Sequence, residues 1–548
     1  MKILFASTST NQTTGYGRIS YKIISYLSTL GHDIHHFAFQ NYNFLAINDD
    51  RQLPKNVHII DVNTLSKEIY GTDIWVETIK NVNPDIIIIY NDMPVTCGLL
   101  NTMLNFPKPC KIISYLDIVY KFQKIEYIEH IARYSDHIFV FSDFWKKHLI
   151  QDIGISETVI TVFPHGVDKN TFHKIPKNIA KNKIGLKDDD FVIFNTNRNS
   201  YRKLLDITIK SFIRFWKLTG CDSKIKLLIN CRLDLNDGYN FNNIIKLSCI
   251  VENVDFDKVW NENIILLSKD RGGFISDEII NYALNASDIG VNTCGGEGFG
   301  LCNTEGAYLG VPQIVTNTGG LSDIFKDFNN MIVDPCVFIS LPGSIDYHNG
   351  ELAICDYKDF ADKLLFYYKN SNVRNVDGER IEKHIRETYN WDSILEQFSY
   401  DIDYISKTKP IKCFYINKNE HFLKKNIVES QQILGIELIR IMCDGCVNET
   451  YNKAMKKAVL NNDVITIITD DNIVFPCDFL KHLNNIISKL PLNWEMIRIY
   501  SDKTETNKPE ENTLCYVISR CGLFTFKQNN KNINNNVFEN LLCFSIML

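Results

Sequence analysis

Long apolar runs are missing from this sequence of 548 residues. Its most apolar stretches, such as DIIIIY at 85–90, fall far short of the roughly 20 residues that a membrane-spanning helix needs. The amino-terminal MKILFASTST has too few consecutive apolar residues for a signal peptide, and its pattern indicates a first β-strand. We therefore expect no transmembrane segment and a cytoplasmic location.

A strong charge of one sign is also missing, since the formal net charge is only -6. Without a basic field, nucleic acid is not expected as a partner. The 16 cysteines stand mostly alone in apolar segments, as Cys97, Cys249 and Cys355 do, which favours reduced thiols over a disulfide framework. One C-x-x-C, from Cys443 to Cys446, lacks a second pair at zinc-ligand spacing, so we expect no metal there.

Uniformly apolar strands alternate with helical stretches in the first part of the chain. KILFAS at 2–7 precedes a segment at 18–31 whose apolar residues recur at helical spacing and which ends at Gly31. DIIIIY, CKIISYL at 110–116 and HIFVFS at 137–142 follow as further strands. Strands that are apolar on both faces are typical of a parallel sheet covered by helices on each side.

A second set of strands follows the segment VFPHGVDKNTF at 162–172. Its members are FVIFNT (191–196), IKLLIN (225–230), IILLS (264–268), DIGVNT (288–293) and QIVTN (313–317). Two consecutive doubly wound α/β units with a cleft between them are therefore predicted. The predicted boundaries are 1–170 and 171–388 for the two units, 389–406 for a long terminal helix and 411–548 for a smaller α/β segment.

Two loops of the predicted cleft carry groups that suit a phosphate, because open parallel sheets bind ligands beyond the carboxyl ends of their strands. In TGYGR, Gly15 and Gly17 would let backbone amides approach an anion before a helix predicted from Arg18; an ordinary turn is the alternative. In NRNSYRK, Arg198 and Lys203 would suit a diphosphate; a solvated basic loop is the alternative.

A third loop, CGGEGFG at 294–300, joins the strand DIGVNT to a predicted helix at 301–310. Glu297 lies in the loop and Glu305 lies near the helix start, where amide groups would face an anion. Carboxylates beside a phosphate pocket are acceptors suited to sugar hydroxyls, a ribose diol for one and a hexose for the other. The alternative is that Glu305 offsets the helix dipole and Glu297 is solvated.

The region 287–320, with its E-x7-E spacing, resembles the signature of family 4 retaining glycosyltransferases, which have the GT-B fold. The resemblance extends over roughly the first 400 residues, where further segments occur in the family's order. These segments are TGYGR (14–18), FSDFWKK (141–147), FPHGVD (163–168), ISDEIINYALNASDIGV (275–291) and NWDSILEQF (390–398). The resemblance implies an α/β protein in which an acceptor-side Rossmann-like domain faces a nucleotide-sugar-binding one.

The same resemblance implies sugar transfer from a nucleoside-diphosphate sugar with retention of configuration and without a required metal. Arg198 and Lys203 would hold the diphosphate, Glu305 the ribose, and Glu297 would lie beside the transferred sugar. Gly15 and Gly17 would approach the diphosphate from the first domain. The backbone around sugar and phosphate would be that of Gly298, Phe299, Gly300, Leu301, Cys302 and Asn303.

The sequence departs from the family pattern near the sugar. Many members place a histidine before an aspartate there, but SYLDIVY has Leu116 before Asp117, and Asp117 is our candidate polar group. His165 stands where asparagine is usual, and Cys294 where a serine is common. A structural role on the hinge side is the favoured interpretation of His165, and packing that of Cys294.

The segment 411–520 resembles family 25 glycosyltransferases through RIMCDG (440–445), TDDNIVF (469–475), LPLNW (490–494) and CYVISR (515–520). Its apolar strand VITIIT ends in Asp470 and Asp471, and carboxylates at a strand end hold Mn²⁺ or Mg²⁺ in GT-A enzymes. Thr469 replaces the first residue of the acidic triplet. A shortened GT-A-like domain is predicted, as a second transferase or as a degenerate accessory domain.

The sequence as a whole predicts a hexosyltransferase-type glycosyltransferase acting on a glycan, protein or lipid acceptor. Within enzymes, a GT-B phosphorylase and a nucleotide-sugar hydrolase stay open as alternatives. Outside enzymes, the alternative is a scaffold that binds nucleotide-sugars without catalysis.

Overall fold

The computed structural model describes most of the first 406 residues and six strands beyond them. The described parts are residues 1–12, 14–41, 51–106, 110–232, 238–267, 275–340, 349–406, 412–417, 437–442, 465–470, 496–500, 513–519 and 543–547. None of the described helices is long and apolar enough to cross a membrane.

The first unit is built on a parallel sheet of seven strands in the order β3-β2-β1-β4-β5-β6-β7. The strands are β1 (Lys2–Thr8), β2 (Asp33–Phe39), β3 (Val57–Asp61), β4 (Ile86–Asp92), β5 (Lys111–Asp117), β6 (His137–Val140) and β7 (Ile160–Val162). Its helices are α1 (Gly15–Thr29), α2 (Val62–Leu65), α3 (Trp75–Val82), α4 (Met93–Thr102), α5 (Ile125–Tyr134) and α6 (Asp143–Lys147).

Both faces of this sheet are buried, as the uniformly apolar strands predict. Ile3 and Phe5 of β1 pack in one core with α1, whereas Leu4 and Ala6 lie in a second core with α3 and α4. Alternate residues of a strand point to opposite faces, so the sheet is covered by helices on both sides. Gly31 follows α1 with a left-handed φ of 82°, which confirms it as the glycine that ends this helix.

The second unit contains a parallel sheet of six strands in the order β10-β9-β8-β11-β12-β13. The strands are β8 (Phe191–Asn195), β9 (Ile225–Ile229), β10 (Ile264–Leu266), β11 (Ile289–Asn292), β12 (Gln313–Thr316) and β13 (Ile332–Val333). Its helices are α7 (Lys177–Lys183), α8 (Leu205–Leu218), α9 (Phe241–Glu252), α10 (Phe256–Lys258), α11 (Asp277–Ala286), α12 (Leu301–Tyr308), α13 (Gly319–Phe325), α14 (Tyr357–Lys369) and α15 (Ser371–Thr388). The five predicted strands are confirmed, and the antiparallel hairpin of β14 (Val337–Ser340) and β15 (Glu351–Ile354) is an addition that the sequence pattern did not indicate.

A long helix, α16 (Trp391–Ser406), returns from the second unit to the first. The ring of Phe398 stacks on Phe163 with centroids 4.4 Å apart and meets Phe139 edge-on at 5.4 Å. Aromatic pairs at these separations stabilise contacts beyond their buried area. Helix α16 therefore joins the carboxyl end of the second unit to the first unit's sheet.

The carboxyl-terminal part forms a mixed six-stranded sheet in the order β17-β16-β18-β20-β19-β21. The strands are β16 (Lys412–Asn417), β17 (Glu437–Met442), β18 (Ile465–Asp470), β19 (Met496–Tyr500), β20 (Thr513–Ser519) and β21 (Cys543–Met547). Asp470 ends β18, and Asp471 lies outside the described residues. The GT-A-like architecture of this segment stays a prediction.

Candidate active site

The glycine loop lies where β11 ends and α12 begins, at the carboxyl edge of the second sheet. Gly300 precedes α12 with a φ of 106°, a left-handed conformation that favours glycine, and a Cβ there would lie 2.4 Å from Leu321 Cδ2. Asn303 is held on the inner side of the helix, because its side chain bonds to Asn292 at 2.7 Å and to Gln313 at 2.9 Å. Its side chain is therefore committed to the fold, and its backbone amide donates to the Gly300 carbonyl at 3.1 Å.

Glu297 is the centre of a cluster of charges in this loop. The Lys203 ammonium donates a hydrogen bond to Glu297 Oε2, and Arg202 Nη1 lies 3.8 Å from Oε1. Arg202 Nη1 also donates to the Gly296 carbonyl at 2.6 Å. Burial raises the pKa of Glu297, but Lys203 and Arg202 together outweigh it and hold the pKa below its usual value. Glu297 is therefore a largely buried carboxylate that stays ionised.

The two predicted cations, Arg198 and Lys203, have different surroundings in the structure. A short 3-10 turn, Tyr201–Lys203, ends at the left-handed Leu204, and it turns Lys203 toward the glycine loop. Lys203 is buried, whereas Arg198 lies exposed on the same loop. Arg202 was not among the predicted site residues, although its position next to Lys203 in NRNSYRK was the available signal.

Asp117 of the first unit contacts the same glycine loop. It ends β5, and the Tyr16 hydroxyl donates to its Oδ2 at 2.8 Å. Among the described residues its buried Oδ1 has no hydrogen-bond partner, and a Cβ added to Gly298 would lie only 1.9 Å from that atom. Burial raises the pKa of Asp117, and Arg202 lowers it in part. The backbone of Gly298 thus packs directly against a carboxylate of the opposite unit.

Gly15 and Gly17 of TGYGR are each close to a different part of the protein. Helix α1 begins at Gly15, three residues before the predicted start at Arg18, and Thr14 caps it by accepting from the Gly17 amide at 3.2 Å. A Cβ on Gly17 would lie 2.4 Å from the Gln12 carbonyl oxygen, so the turn itself requires this glycine. A Cβ on Gly15 would meet Leu301 at 3.1 Å, so the starts of α1 and α12 face each other.

Glu305 sits on α12 and pairs with the first unit rather than with its own. Arg18 Nη1 lies 2.9 Å from Glu305 Oε1 and 3.9 Å from Asp277 Oδ1. Arg51 Nη2 reaches Asp277 Oδ2 at 3.3 Å. Burial raises the pKa of Glu305 to about 7, and Arg18 offsets part of that rise. The charge of this glutamate therefore depends on a contact between the two units.

A cleft of about 520 Å³ opens beside this ion pair. Both units line it, with α1 and Arg51 on one side and α11, Leu301 and Glu305 on the other. Cys302 lies between the two clusters, since its partly buried thiol is in the electrostatic fields of both Glu305 and Glu297. Burial, followed by Glu305, raises the pKa of Cys302 to about 12, so the thiol stays protonated.

His165 packs between the units as an uncharged ring. It lies 4.3 Å from the ring centroid of Phe141 and 5.0 Å from that of Phe299. Burial lowers its pKa to about 3, and neither ring nitrogen has a hydrogen-bond partner among the described residues. These surroundings support the structural role expected of His165. Cys294 is likewise fully buried, as packing requires.

Two family models match the chain. The model described as Glycosyltransferase Family 4 matches residues 13–171, and the one described as Glycosyl transferases group 1 matches residues 271–340. The second match includes the loop and helix that carry Glu297 and Glu305. No curated protein sequence matches the chain.

Solved structures with a similar fold cover the first two units. Sucrose-phosphate synthase from Thermosynechococcus elongatus has a TM-score of 0.56 at 13% identity, over 74% of this chain and 99% of that chain. A glycosyltransferase from Rickettsia africae ESF-5 has a TM-score of 0.54 at 18% identity, over 74% and 99%. Anabaena Alr3699/HepE, in complex with UDP, has a TM-score of 0.54 at 14% identity, over 74% and 100%.

The first two units share their fold with these solved structures. In sequence, the family 4 model matches most of the first unit, and the group 1 model matches the glycine loop of the second.

Proposed function

We propose that this protein transfers a sugar from a nucleoside-diphosphate sugar to an acceptor with retention of configuration. The observation that carries the proposal is the convergence of Lys203 and Arg202 on Glu297, in a glycine loop that packs against Asp117 of the opposite unit. A largely buried carboxylate that stays ionised beside two cations suits a site where negative charge leaves and positive charge develops.

Lys203 and Arg198 would hold the diphosphate that departs during transfer. The Lys203 ammonium now bonds to Glu297, and a bound diphosphate would share that ammonium while Arg198 approaches from the exposed side of the same loop. Each charge-assisted hydrogen bond contributes about 1.5–3 kcal/mol. Two cations and the loop amides would then stabilise the leaving group without a required metal.

Glu305 would accept hydrogen bonds from the two hydroxyl groups of the ribose. Its carboxylate lies at the cleft, six per cent exposed as a side chain, with Arg18 on one oxygen at 2.9 Å. An ionised carboxylate has acceptor sites left after one such pair, which is what a diol requires. Glu297 and Asp117 would lie beside the transferred sugar, with the backbone of 298–303 around sugar and phosphate.

The complexes of a structural neighbour support the choice of donor. Anabaena Alr3699/HepE was solved with UDP and also with UDP-glucose. Its likeness to this chain is one of fold, at 14% identity. It therefore supports a nucleotide-sugar donor as a class, and the base, the sugar and its hexosyl nature are part of the proposal.

The carboxyl-terminal sheet makes a bifunctional protein the second candidate. The strand β18 ends at Asp470, as the family 25 resemblance requires of a metal-binding strand. Mn²⁺ or Mg²⁺ at Asp470 and Asp471 would support a second transferase there. A manganese-dependent thermal shift that disappears in Asp471→Ala would show this second site.

A donor screen tests the proposal. Purified protein is mixed with UDP-, GDP- and ADP-sugars, with and without manganese and with and without a cell extract that supplies acceptors, and thermal shift and release of the nucleoside diphosphate are measured. We expect one donor to bind and to turn over when the extract is present. Lys203→Ala should lose this turnover while Lys210→Ala retains it, because Lys210 pairs with Asp206 on α8.

The same screen separates the alternatives. Turnover that needs no acceptor would identify a hydrolase, and dependence on added phosphate a phosphorylase. Binding without any turnover would identify a scaffold and contradict the proposed transfer.

A further inference from the structure

Two histidines and an aspartate meet at the edge of the first sheet, away from the cleft. Among the described strands, β3 lies at the edge of this sheet and pairs with β2 alone. His35 of β2 stands directly opposite His58 of β3. Asp33 lies two residues before His35, so both side chains point to the same face of β2. Three side chains that bind metals are therefore placed together by the strand register alone.

The distances between their ligand atoms are those of a zinc site. Asp33 Oδ1 lies 3.4 Å from His35 Nε2 and 3.4 Å from His58 Nε2, and all three ligand atoms lie within 4.8 Å of one another. In a tetrahedral site with ligand distances of about 2.0–2.1 Å, neighbouring ligand atoms lie about 3.3–3.4 Å apart. Two of the three ligand separations already match that value.

The third separation, between the ligand nitrogens of His35 and His58, is the one that side-chain rotation can change. The rings of His35 and His58 are stacked, with centroids 4.7 Å apart and an angle of 25° between their planes. The His58 side chain is 59% exposed, whereas that of His35 is 19% exposed. Rotation of the exposed ring at the edge strand can aim its nitrogen at an ion held by the other two ligands without disturbing the core.

The surroundings of Asp33 leave its carboxylate available to a metal ion. Lys2 stands opposite Asp33 on β1, but its ammonium donates to the Val82 carbonyl at 3.0 Å. In the described part of the protein, the side chains that pair with the Asp33 carboxylate are those of the two histidines. Two imidazoles and one carboxylate form a donor set that suits Zn²⁺, with a fourth position open to water.

We propose that Asp33, His35 and His58 form a Zn²⁺ site that fastens the edge strand β3 to β2. The site lies near the amino ends of these strands, whereas the candidate active site lies at the carboxyl ends of the sheets. It is separate from sugar transfer and does not rest on the proposed function. A metal bridge there would hold a strand that, among the described strands, has backbone pairing with β2 alone.

Cobalt substitution tests the site in the full-length protein. After treatment with a chelator, the protein is titrated with Co²⁺ and the visible absorption is recorded, with Zn²⁺ added as competitor. We expect one intense tetrahedral band that Zn²⁺ displaces, without the near-ultraviolet charge-transfer band that thiolates of Cys443 and Cys446 would produce. His58→Ala and Asp33→Asn should each weaken binding by at least about tenfold, because even indirect partners of a metal ligand contribute about 10–100-fold.

His384→Ala is the matched control, because His384 lies on α15 in the second unit. It should bind Co²⁺ as the unmodified protein does. Hydrogen exchange of residues 57–61 provides a second readout, and Zn²⁺ should slow exchange there in the unmodified protein but not in Asp33→Asn. Equal Co²⁺ affinity in His58→Ala and the unmodified protein, or a spectrum dominated by thiolate bands, would overturn the proposal.

Discussion

Glu297 and Glu305 lie eight positions apart on one loop and helix, yet their electrostatic surroundings are opposite. Glu297 meets two cations of its own unit, which lower its pKa. Glu305 meets one cation that comes from the other unit, and burial raises its pKa to about 7. The charge of Glu297 is therefore set within one unit, whereas that of Glu305 depends on how the two units pack against each other.

Of the changes at these two glutamates and their partners, removal of Lys203 should have the largest effect on activity. In Lys203→Ala we expect kcat/KM to fall by about 100- to 1,000-fold, because a preorganised group that stabilises a leaving charge is lost. The change also leaves Glu297 with Arg202 alone. Steady-state rates with the donor found in the screen provide the measurement, with Lys210→Ala as control. A rate within threefold of the unmodified enzyme would contradict the role of Lys203.

Replacement of Glu305 should have a smaller effect, mainly on donor binding. For Glu305→Gln we expect a donor KM about 10- to 100-fold higher, since a neutral amide replaces a charged acceptor of two hydroxyl groups. The control is Glu379→Gln, a carboxylate on the exposed side of α15. A loss confined to kcat, with KM unchanged, would show that Glu305 does not hold the ribose.

The pH dependence of donor binding should separate the two glutamates. Because the pKa of Glu305 in the folded protein is about 7, above its ordinary 4.5, its ionised form grows as pH rises through about 7. Donor affinity should therefore increase over the same range, and Glu305→Gln should flatten the profile. Calorimetric titration from about pH 6 to about pH 8.5 would measure it. Glu297, whose pKa is lowered, should not contribute an inflection there.

The same raised pKa has the opposite consequence for folding stability. A group whose pKa is higher in the folded protein stabilises the fold fully below its unfolded value and loses that contribution as pH rises through the folded value. For Glu305 the loss falls between about pH 4.5 and about pH 7. Thermal unfolding of Glu305→Gln against the unmodified protein at both pH values should show it.

The smallest expected effect is that of Arg18. In Arg18→Gln the cation that lowers the pKa of Glu305 is lost, so the inflection in donor affinity should move to higher pH. At a pH well above the inflection, affinity should approach that of the unmodified protein. Arg202→Gln is the comparison, because it changes the surroundings of Glu297 and should leave the inflection in place. An unmoved inflection in Arg18→Gln would show that the contact between the units does not control Glu305.

The sequence predicted the fold more completely than it predicted the contacts of the site. Apolar strands such as 86–90 and 191–195 indicate a parallel sheet because they are buried on both faces, and both are confirmed. Arg202 was missed because a 3-10 turn, set by the left-handed Leu204, decides which cation of the loop reaches Glu297. Such a turn depends on tertiary packing rather than on residue spacing.

The pairing of Glu305 was missed for a different reason. Its partner Arg18 lies in the other unit, and the Asp277–Arg51 pair beside it joins residues 226 positions apart. A local pattern identifies the glutamate and its helix, but only the packing of two units places a cation next to it. Tyr16, which bonds to Asp117, lies between two predicted glycines and was missed in the same way.

The most direct test of the central claim is donor turnover in the presence of a cell extract that supplies acceptors. Release of the nucleoside diphosphate and transfer of labelled sugar are followed together, with a chelator present, for the unmodified protein and Lys203→Ala. We expect that one nucleotide-sugar is consumed with sugar appearing on an acceptor, and that Lys203→Ala reduces this transfer by about 100-fold or more. Equal transfer by Lys203→Ala, or no transfer from any UDP-, GDP- or ADP-sugar, would contradict it.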